Sequence, residues 1–143
     1  MADTIQVEIV SAEASLFSGE ADMVFVPAEQ GEIGVAPQHT PLLTRLVPGE
    51  VRVVKGGEEQ VFFVASGILE IQPSIVSVLS DVAERAADID EKATEEAKRK
   101  AEETLEQRHE GEFDIARAQA ELAEAIARLR VVQRIRERQR RGH

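Results

Sequence analysis

The sequence predicts an all-β N-terminal sandwich or barrel followed by an α-helical antiparallel hairpin, and therefore two domains. Short apolar stretches separated by turn residues occupy the first part of the chain, without a helical pattern between them. From residue 81 onward Ala, Glu, Lys and Arg dominate, and the apolar residues recur at helical spacing with one interruption. We place the β domain at residues 1–86 and the helical hairpin at residues 87–143.

The first predicted strand is residues 5–9, where apolar and polar side chains alternate as in a half-buried strand. Turn residues at 18–20 and 56–57 separate further stretches of this kind. The other predicted strands are residues 23–26, 51–53, 61–64, 68–71 and 75–79. Six or more short strands with no helix between them predict an antiparallel sandwich or barrel.

The first helix is predicted over residues 88–108. Asp88, followed three residues later by Glu91, has the form of an N-terminal cap with a reciprocal carboxylate. Glu95 and Arg99 stand four residues apart, as a charge pair on a helix surface would. The predicted apolar stripe repeats every fourth residue: Ala93, Ala97, Ala101 and Leu105.

The second helix is predicted over residues 114–140, after a break at residues 109–112 and a cap at Asp114. Its predicted apolar stripe consists of Ile115, Ala118, Leu122, Ile126 (or Ala125), Leu129 and Val132. Alanine faces let helices approach closely but bury little apolar surface, so we expect the pair to be held weakly. Such a hairpin is a candidate moving part.

Composition excludes several functions. The chain has no cysteine, which removes disulfides, thiolate metal sites and thiol catalysis, and no Trp or Tyr for stacking on bases. No apolar stretch approaches the roughly 20 residues of a membrane-spanning helix. The formal net charge is −10, yet seven of the residues from 128 onward are arginines. We expect no nucleic acid partner, because the acidic remainder would repel phosphates.

Candidate catalytic and metal-binding residues are few. His39 lies in a loop between two prolines, where it is either bonded to nearby backbone or part of an interface. The three histidines do not have the spacing of metal ligands. The paired glutamates are adjacent in sequence, so on a helix their side chains point in different directions and do not form a catalytic acid–base pair. Residues 31–34, with two glycines, are predicted to be a loop and not a phosphate-binding motif, because no Gly-Lys-Ser/Thr follows. We expect no catalytic residue, no metal and no cofactor.

Four segments, in order along the whole chain, closely resemble the epsilon subunit of bacterial F-type ATP synthases. Residues 30–49 read QGEIGVAPQHTPLLTRLVPG, and residues 66–73 read SGILEIQP, continuing to VLSD at 78–81. Residues 97–103 read AKRKAEE, and residues 120–127 read AELAEAIA. Both the β part and the helical part carry the resemblance.

The resemblance implies a non-catalytic subunit of the rotor, or central stalk, peripheral to the cytoplasmic face of the inner membrane and not inserted in it. The implied partners are the gamma subunit, the c ring and, when the hairpin extends, the alpha/beta head, where the hairpin restrains ATP hydrolysis. Glu32 and His39 would face the c ring. The residues implied to contact the head are Arg128, Arg130, Arg134, Arg136 and Arg138.

Some members of this family bind ATP on the folded hairpin through a motif of Ile or Leu, Asp, two variable residues, Arg and Ala. Residues 89–94 here read IDEKAT, so Ile89 and Asp90 match while Ala93 replaces the arginine and Thr94 the alanine. Because the guanidinium is missing, we expect nucleotide binding to be weak or absent.

A second interpretation is a free-standing binding module, in which the sandwich recognises a partner and the helices oligomerise. The segment around His39 and the AELA segment favour the rotor subunit, because a generic module would need neither.

Overall fold

The computed structural model of the chain describes residues 3–107 and 112–141, apart from the side chains of residues 112 and 113. The chain divides into two compact units, Met1–Arg85 and Ala86–His143, named below the β unit and the helical unit. In the β unit, segments in which apolar and polar residues alternate form strands. In the helical unit, segments rich in Ala, Glu and Arg form helices.

The β unit contains ten described strands. They are β1 (Ile5–Ser11), β2 (Ser15–Ala21), β3 (Met23–Ala28), β4 (Gly31–Val35), β5 (Leu42–Leu46), β6 (Gly49–Lys55), β7 (Glu58–Val64), β8 (Gly67–Ile71), β9 (Ile75–Ser80) and β10 (Ala83–Arg85). All six predicted strands are present, within longer observed ones. The predicted β domain followed by a helical region is confirmed.

The strands pair in the order β10-β7-β6-β3-β5-β8-β9-β1-β2, and β4 pairs with β3 beside this path. Almost every described pair is antiparallel, as predicted. The exception is β1 with β9, which run parallel with Gln6 opposite Ile75. The predicted antiparallel arrangement is therefore correct except at this pair, which joins two strands far apart in sequence and so has no local sequence signal.

Side chains from both ends of the strand order enclose one apolar core. Arg85 on β10 donates a hydrogen bond from Nη2 to the carbonyl oxygen of Leu16 on β2, at 2.8 Å. The rings of Phe17 and Phe62 meet edge to face, with their centroids 5.9 Å apart. The alternating residues of the strands fill the interior; among the largest fully buried ones are Phe62, Ile5, Ile9, Leu69 and Ile71.

One predicted turn and one predicted loop are strands. Residues 18–20 lie within β2, and the chain instead reverses before β2, where the Ser11 amide donates to the Ala14 carbonyl at 2.8 Å. Residues 31–34, predicted to be a loop, form β4. Only Gly31 there has a left-handed backbone, with φ of 122°. Both segments are rich in Gly and polar residues, yet β2 pairs with β1 and β4 pairs with β3, and this pairing outweighs local propensity.

The helical unit begins with a 3-10 turn, Ala86–Asp88, followed by α1 (Glu91–Glu106) and α2 (Glu112–Arg141). The prediction that Asp88 caps the first helix is wrong. Asp90 is the cap, and its Oδ1 accepts a hydrogen bond from the Ala93 amide at 3.0 Å. Asp88 lies within the 3-10 turn, whereas Asp90 has the extended backbone of a cap, with φ of −80° and ψ of 100°.

The second helix begins at Glu112, so Asp114, the predicted cap, lies in its first turn. The helix ends at Arg141, one residue beyond the predicted end. The predicted first helix extended to residue 108, and the predicted break included residues 109–111; these positions lie outside the described residues.

The two helices run antiparallel, because Glu91 at the start of α1 pairs with Arg136 near the end of α2. The predicted stripe of α1 is correct in its second half and wrong in its first. Ala101 is buried and Leu105 is half-buried, whereas Ala93 and Ala97 are exposed and Thr94 is buried instead. A repeat of four drifts around a helix by about 40° at each step, whereas a spacing of seven returns to the same face.

Among the described side chains of α2 the buried ones are Ala118, Ala125 and Val131, so the alanine alternative at 125 is buried and Val131 was missed. Ile115, predicted to lie on the stripe, is 40% exposed. Arg99 pairs with Glu96 and Glu103 rather than with the predicted Glu95.

Candidate functional site

Glu32 lies on β4, and its surroundings are built by three paired strands. Phe25 on β3 stands opposite Gly34 of β4 on one side and opposite Arg52 of β6 on the other. The guanidinium carbon of Arg52 lies 4.2 Å from the centroid of the Phe25 ring. From there Arg52 Nη2 reaches Glu32 Oε1 at 3.1 Å. The pairing of β3 with both neighbours therefore brings a cation on β6 to a carboxylate on β4.

Two further carboxylates surround the same guanidinium. Arg52 Nε lies 3.5 Å from Glu50 Oε1, and Arg52 Nη1 lies 3.5 Å from Glu59 Oε2. The side chain of Glu50 is only 4% exposed, whereas that of Glu32 is 49% exposed. We call Glu32, Glu50, Arg52 and Glu59 the Arg52 cluster. It has a buried side at Glu50 and an open side at Glu32.

His39 lies in the segment that follows β4 and precedes β5. Its Nδ1 is 2.7 Å from the carbonyl oxygen of Thr40, and its amide donates to the Ala36 carbonyl at 3.2 Å. The neighbouring Gln38 has a left-handed backbone, with φ of 67°, and its amide donates to the Pro73 carbonyl at 2.9 Å. Of the two predicted environments for His39, bonding to nearby backbone is present; an interface contact stays a prediction.

The five arginines predicted to contact a catalytic head all lie on α2. Arg128 pairs with Glu124 at 3.1 Å, and Arg136 makes a two-pronged contact with the carboxylate of Glu91. Arg130 and Arg134 are exposed, and Arg138 is partly exposed. The sequence correctly predicted that these residues lie on one helix. It did not predict the ion pair that joins Arg136 to Glu91 of α1.

Ile89 and Asp90, the two residues that match the nucleotide motif, lie at the start of α1. Asp90 caps the helix through its carboxylate, and its carbonyl accepts from the Thr94 hydroxyl at 2.7 Å. Ala93, in place of the motif arginine, is exposed and offers only a methyl group. The aspartate thus has a structural use here that needs no nucleotide.

Arg99 on α1 perturbs the titration of a neighbouring acid. The guanidinium, bonded to Glu96 three residues earlier, holds the pKa of that carboxyl below its usual value. The same contact, together with the charges of Glu103 and Glu96, raises the pKa of Arg99. Both groups lie on the solvent side, so this pair favours the helix without forming a reactive centre.

An exposed apolar patch on β5 and β8 was missed by the sequence. Leu43 is 68% exposed and Ile68 is 46% exposed, and both line an open depression with Glu29, Thr44 and Arg45. The sequence contained a signal for this patch. Residues 42 and 43 are both leucines, and because successive side chains of a strand point to opposite faces, one of the two must face away from the core.

Within residues 3–107 and 112–141, no three His, Asp or Glu side chains stand close enough to hold a metal ion. No helix in the same ranges combines the length and apolar character needed to cross a bilayer.

Comparison with known proteins gives the same division of the chain. The family model described as "ATP synthase, Delta/Epsilon chain, beta-sandwich domain" matches residues 4–86, and that described as "ATP synthase, Delta/Epsilon chain, long alpha-helix domain" matches residues 87–133. Two curated relatives are named ATP synthase epsilon chain. The one from Nitrosococcus oceani is 59% identical over 96% of this chain and 99% of its own length. The one from Hydrogenovibrio crunogenus is 58% identical over 96% of this chain and 95% of its own.

Solved structures share the fold at low identity. A chain of the Euglena gracilis mitochondrial ATP synthase, from a structure of OSCP, F1 and the c-ring, superposes with a TM-score of 0.77 at 16% identity, over 87% of this chain and 78% of that one. A chain of the Tetrahymena thermophila mitochondrial ATP synthase, from its central stalk and c-ring, gives a TM-score of 0.64 at 9% identity, over 91% of this chain and 97% of that one.

Proposed function

This chain belongs to the ATP synthase epsilon chain family, and from that premise we propose that it is a non-catalytic subunit of the rotor of an F-type ATP synthase. The observation that carries the proposal is the match of both units, in order, to relatives that are 59% and 58% identical over nearly the whole chain. In this role the chain helps couple rotation of the c ring to ATP synthesis in the catalytic head. It would act at the cytoplasmic face of the inner membrane without entering the bilayer.

The β unit is the docking part in this proposal, with the gamma subunit and the c ring as partners. Glu32 and His39 supply contacts to the c ring. Glu32 suits this role because half of its side chain is open to solvent while Arg52 holds one oxygen. A carboxylate with one oxygen fixed has a defined direction for accepting hydrogen bonds from a partner.

The helical unit is the regulatory part. Among its described residues the buried ones are mostly alanine and threonine, and each of these contributes little apolar surface to the contact between the helices. The arginines of α2, from Arg128 to Arg138, would then meet acidic surface on the alpha/beta head and restrain ATP hydrolysis. Because Arg136 is paired with Glu91 in the hairpin, extension must exchange that partner for one on the head.

Removal of the helical unit tests this division of roles. We expect the complex reconstituted with a chain lacking residues 86–143 to hydrolyse ATP faster than the complex with the full chain, while ATP synthesis is retained. Circular dichroism of the shortened chain checks that its strands are folded. Equal hydrolysis rates with both chains would refute a restraining role for the helices.

The arginines can be tested in the full chain. Replacing Arg130, Arg134 and Arg138 together by alanine should raise ATP hydrolysis of the assembled complex, because charge-assisted contacts of about 1.5–3 kcal/mol each would be lost. Arg117→Ala is the matched control, since it removes an arginine of the same helix that is outside the set proposed to contact the head. An equal rise in both variants would assign the effect to helix stability instead.

We also propose that the chain works without a bound nucleotide. The motif arginine is absent and Asp90 is engaged as a helix cap. Millimolar ATP should therefore leave the thermal unfolding midpoint of the full chain unchanged. The control is the Ala93→Arg variant, which restores the guanidinium; a clear rise in the midpoint of the unaltered chain would refute the proposal.

A further inference from the structure

Arg52 occupies the centre of the Arg52 cluster and is held from three sides. The Phe25 ring lies under the guanidinium at 4.2 Å, the buried Glu50 approaches Nε, and Glu59 approaches Nη1. Only 20% of the Arg52 side chain is exposed. A cation stacked on an aromatic face and flanked by carboxylates has few alternative rotamers, so its position is well defined.

The platform under Arg52 depends on a glycine. Phe25 is the cross-strand neighbour of Gly34, and a Cβ atom at Gly34 would come within 3.2 Å of Phe25 Cε1 and 2.8 Å of Met23 Cε. Gly34 has no side chain to displace the ring, so Phe25 can lie over β4. The strand that carries Glu32 thus also provides the space that lets Phe25 support Arg52.

The guanidinium reaches Glu32 from this fixed position. Nη2 donates to Glu32 Oε1 at 3.1 Å, while Nε and Nη1 face the other two carboxylates. A lysine could not do this, because a single ammonium has no planar fork with which to address three acids in three directions. The exposed end of Glu32 is therefore oriented by a residue that itself faces the partner very little.

We propose that Arg52 is a positioning residue for Glu32. Stacked on Phe25 and paired with Glu50, Arg52 fixes the direction in which the Glu32 carboxylate meets a hydrogen-bond donor of the c ring. This inference rests on the docking role of Glu32 proposed above. Without Arg52 the carboxylate retains its charge but samples several rotamers, and docking must then order it.

A double-mutant cycle tests the inference in the assembled enzyme. The full chain and its variants are titrated into ATP synthase depleted of this subunit, in proteoliposomes, and the concentration that half-restores proton-driven ATP synthesis is measured. Glu32→Gln and Arg52→Gln should each raise this concentration by about tenfold, corresponding to one charge-assisted hydrogen bond. The double variant should also show about tenfold rather than a hundredfold, because Arg52 acts through Glu32.

Two more variants separate positioning from folding. Phe25→Leu keeps the Arg52 charge but removes the aromatic platform, and it should raise the half-restoring concentration only when Glu32 is present. Lys55→Gln is the matched control, since it removes an exposed cation from the same strand outside the Arg52 cluster, and it should have no effect. Denaturant unfolding of each chain identifies any variant that fails to fold. If Arg52→Gln is such a variant, Phe25→Leu replaces it in the double-mutant cycle with Glu32→Gln.

The outcomes distinguish this inference from the proposed function. If Glu32→Gln has no effect, the docking role of Glu32 fails and the positioning role fails with it. If Glu32→Gln raises the concentration and Arg52→Gln does not, only the inference about Arg52 is overturned. A hundredfold effect in the double variant would also overturn it, because Arg52 would then act independently of Glu32.

Discussion

In the β unit the buried side chains are large, whereas in the helical unit they are small. Phe62, Ile5 and Leu69 are at most 1% exposed in the β unit. Among the described residues of α1 and α2, the buried ones are Thr94, Ala101, Ala118, Ala125 and Val131. A fully buried large aliphatic or aromatic side chain stabilises a fold by about 1.5–3 kcal/mol, and an alanine by much less.

The difference indicates that the two units depend on different forces. The strands are held by a shared core whose loss unfolds everything around it. The helices rely more on intrinsic propensity, the Asp90 cap and charge pairs such as Arg99 with Glu96. An element of the second kind can open without unfolding the first, as the regulatory role proposed above requires.

The largest expected effect removes a core ring from the β unit. Phe62→Ala should lower the free energy of unfolding by about 3–5 kcal/mol, because it leaves a cavity beside Phe17. Urea denaturation followed by circular dichroism measures the loss. Leu43→Ala is the control, since a side chain 68% exposed should contribute less than about 0.5 kcal/mol. Similar losses in both variants would contradict the assigned core.

A smaller effect should come from overfilling the contact between the helices. Ala101→Leu forces a larger side chain into a position 2% exposed, and it should cost the helical unit about 1–3 kcal/mol. Ala97→Leu, one turn earlier on the exposed side, should be nearly neutral. Amide hydrogen exchange should show faster opening of α1 and α2 with unchanged protection in the strands. Faster exchange throughout the strands would mean that the two units do not open separately.

Loss of the helix cap should have an effect of about 1 kcal/mol. Asp90→Ala removes the acceptor of the Ala93 amide, so the first turn of α1 should fray. Asp88→Ala, at the position that the sequence wrongly favoured, should change helical-unit stability far less. Exchange of the amides of residues 92–94 distinguishes the two variants, and the reverse order of effects would restore Asp88 as the cap.

The smallest expected effect is a dependence on acidity. The pKa of Glu96 is lowered in the folded chain. Its contribution to the stability of α1 is therefore complete at a pH above the ordinary glutamate pKa of about 4.3, and it is lost as the pH falls through the lowered pKa. Helix content should therefore decline on acidification less steeply in Glu96→Gln than in the unaltered chain. Salt should reduce the difference, and Glu95→Gln serves as the control. Identical pH profiles for the unaltered chain and Glu96→Gln would contradict the pairing with Arg99.

Much of the fold could be predicted because the strand pattern is local. Residues 5–9 alternate in sequence as they do in burial, and the change to Ala- and Glu-rich sequence marks the helices. The polar segment at β2 and the glycine-containing β4 could not be predicted, because their strand structure depends on partners distant in sequence. The first half of the α1 stripe was placed incorrectly because Ala93, Ala97 and Ala101 recur at every fourth residue, whereas the buried face follows the geometry of the helix and includes Thr94.

The candidate site was only partly predictable for the same reason. Glu32 could be singled out because it lies in a recognisable segment. Arg52 looked like an ordinary outward-facing residue between Val51 and Val53. Its contact with Glu32 follows from the pairing of β3 with both β4 and β6, which joins positions 20 residues apart.

The parallel pair of β1 and β9 also determines when β1 can gain its second neighbouring strand during synthesis of the chain. Gln6 pairs with Ile75, so the first strand of the β unit must await the ninth of its ten described strands before that edge is covered. Until then β1 has only β2 as its hydrogen-bonded neighbour, and a two-stranded hairpin is by itself marginally stable in water. Closure of this non-local pair is expected to limit the folding rate of the β unit, and the nascent chain exposes an unpaired strand edge until residues 75–80 emerge.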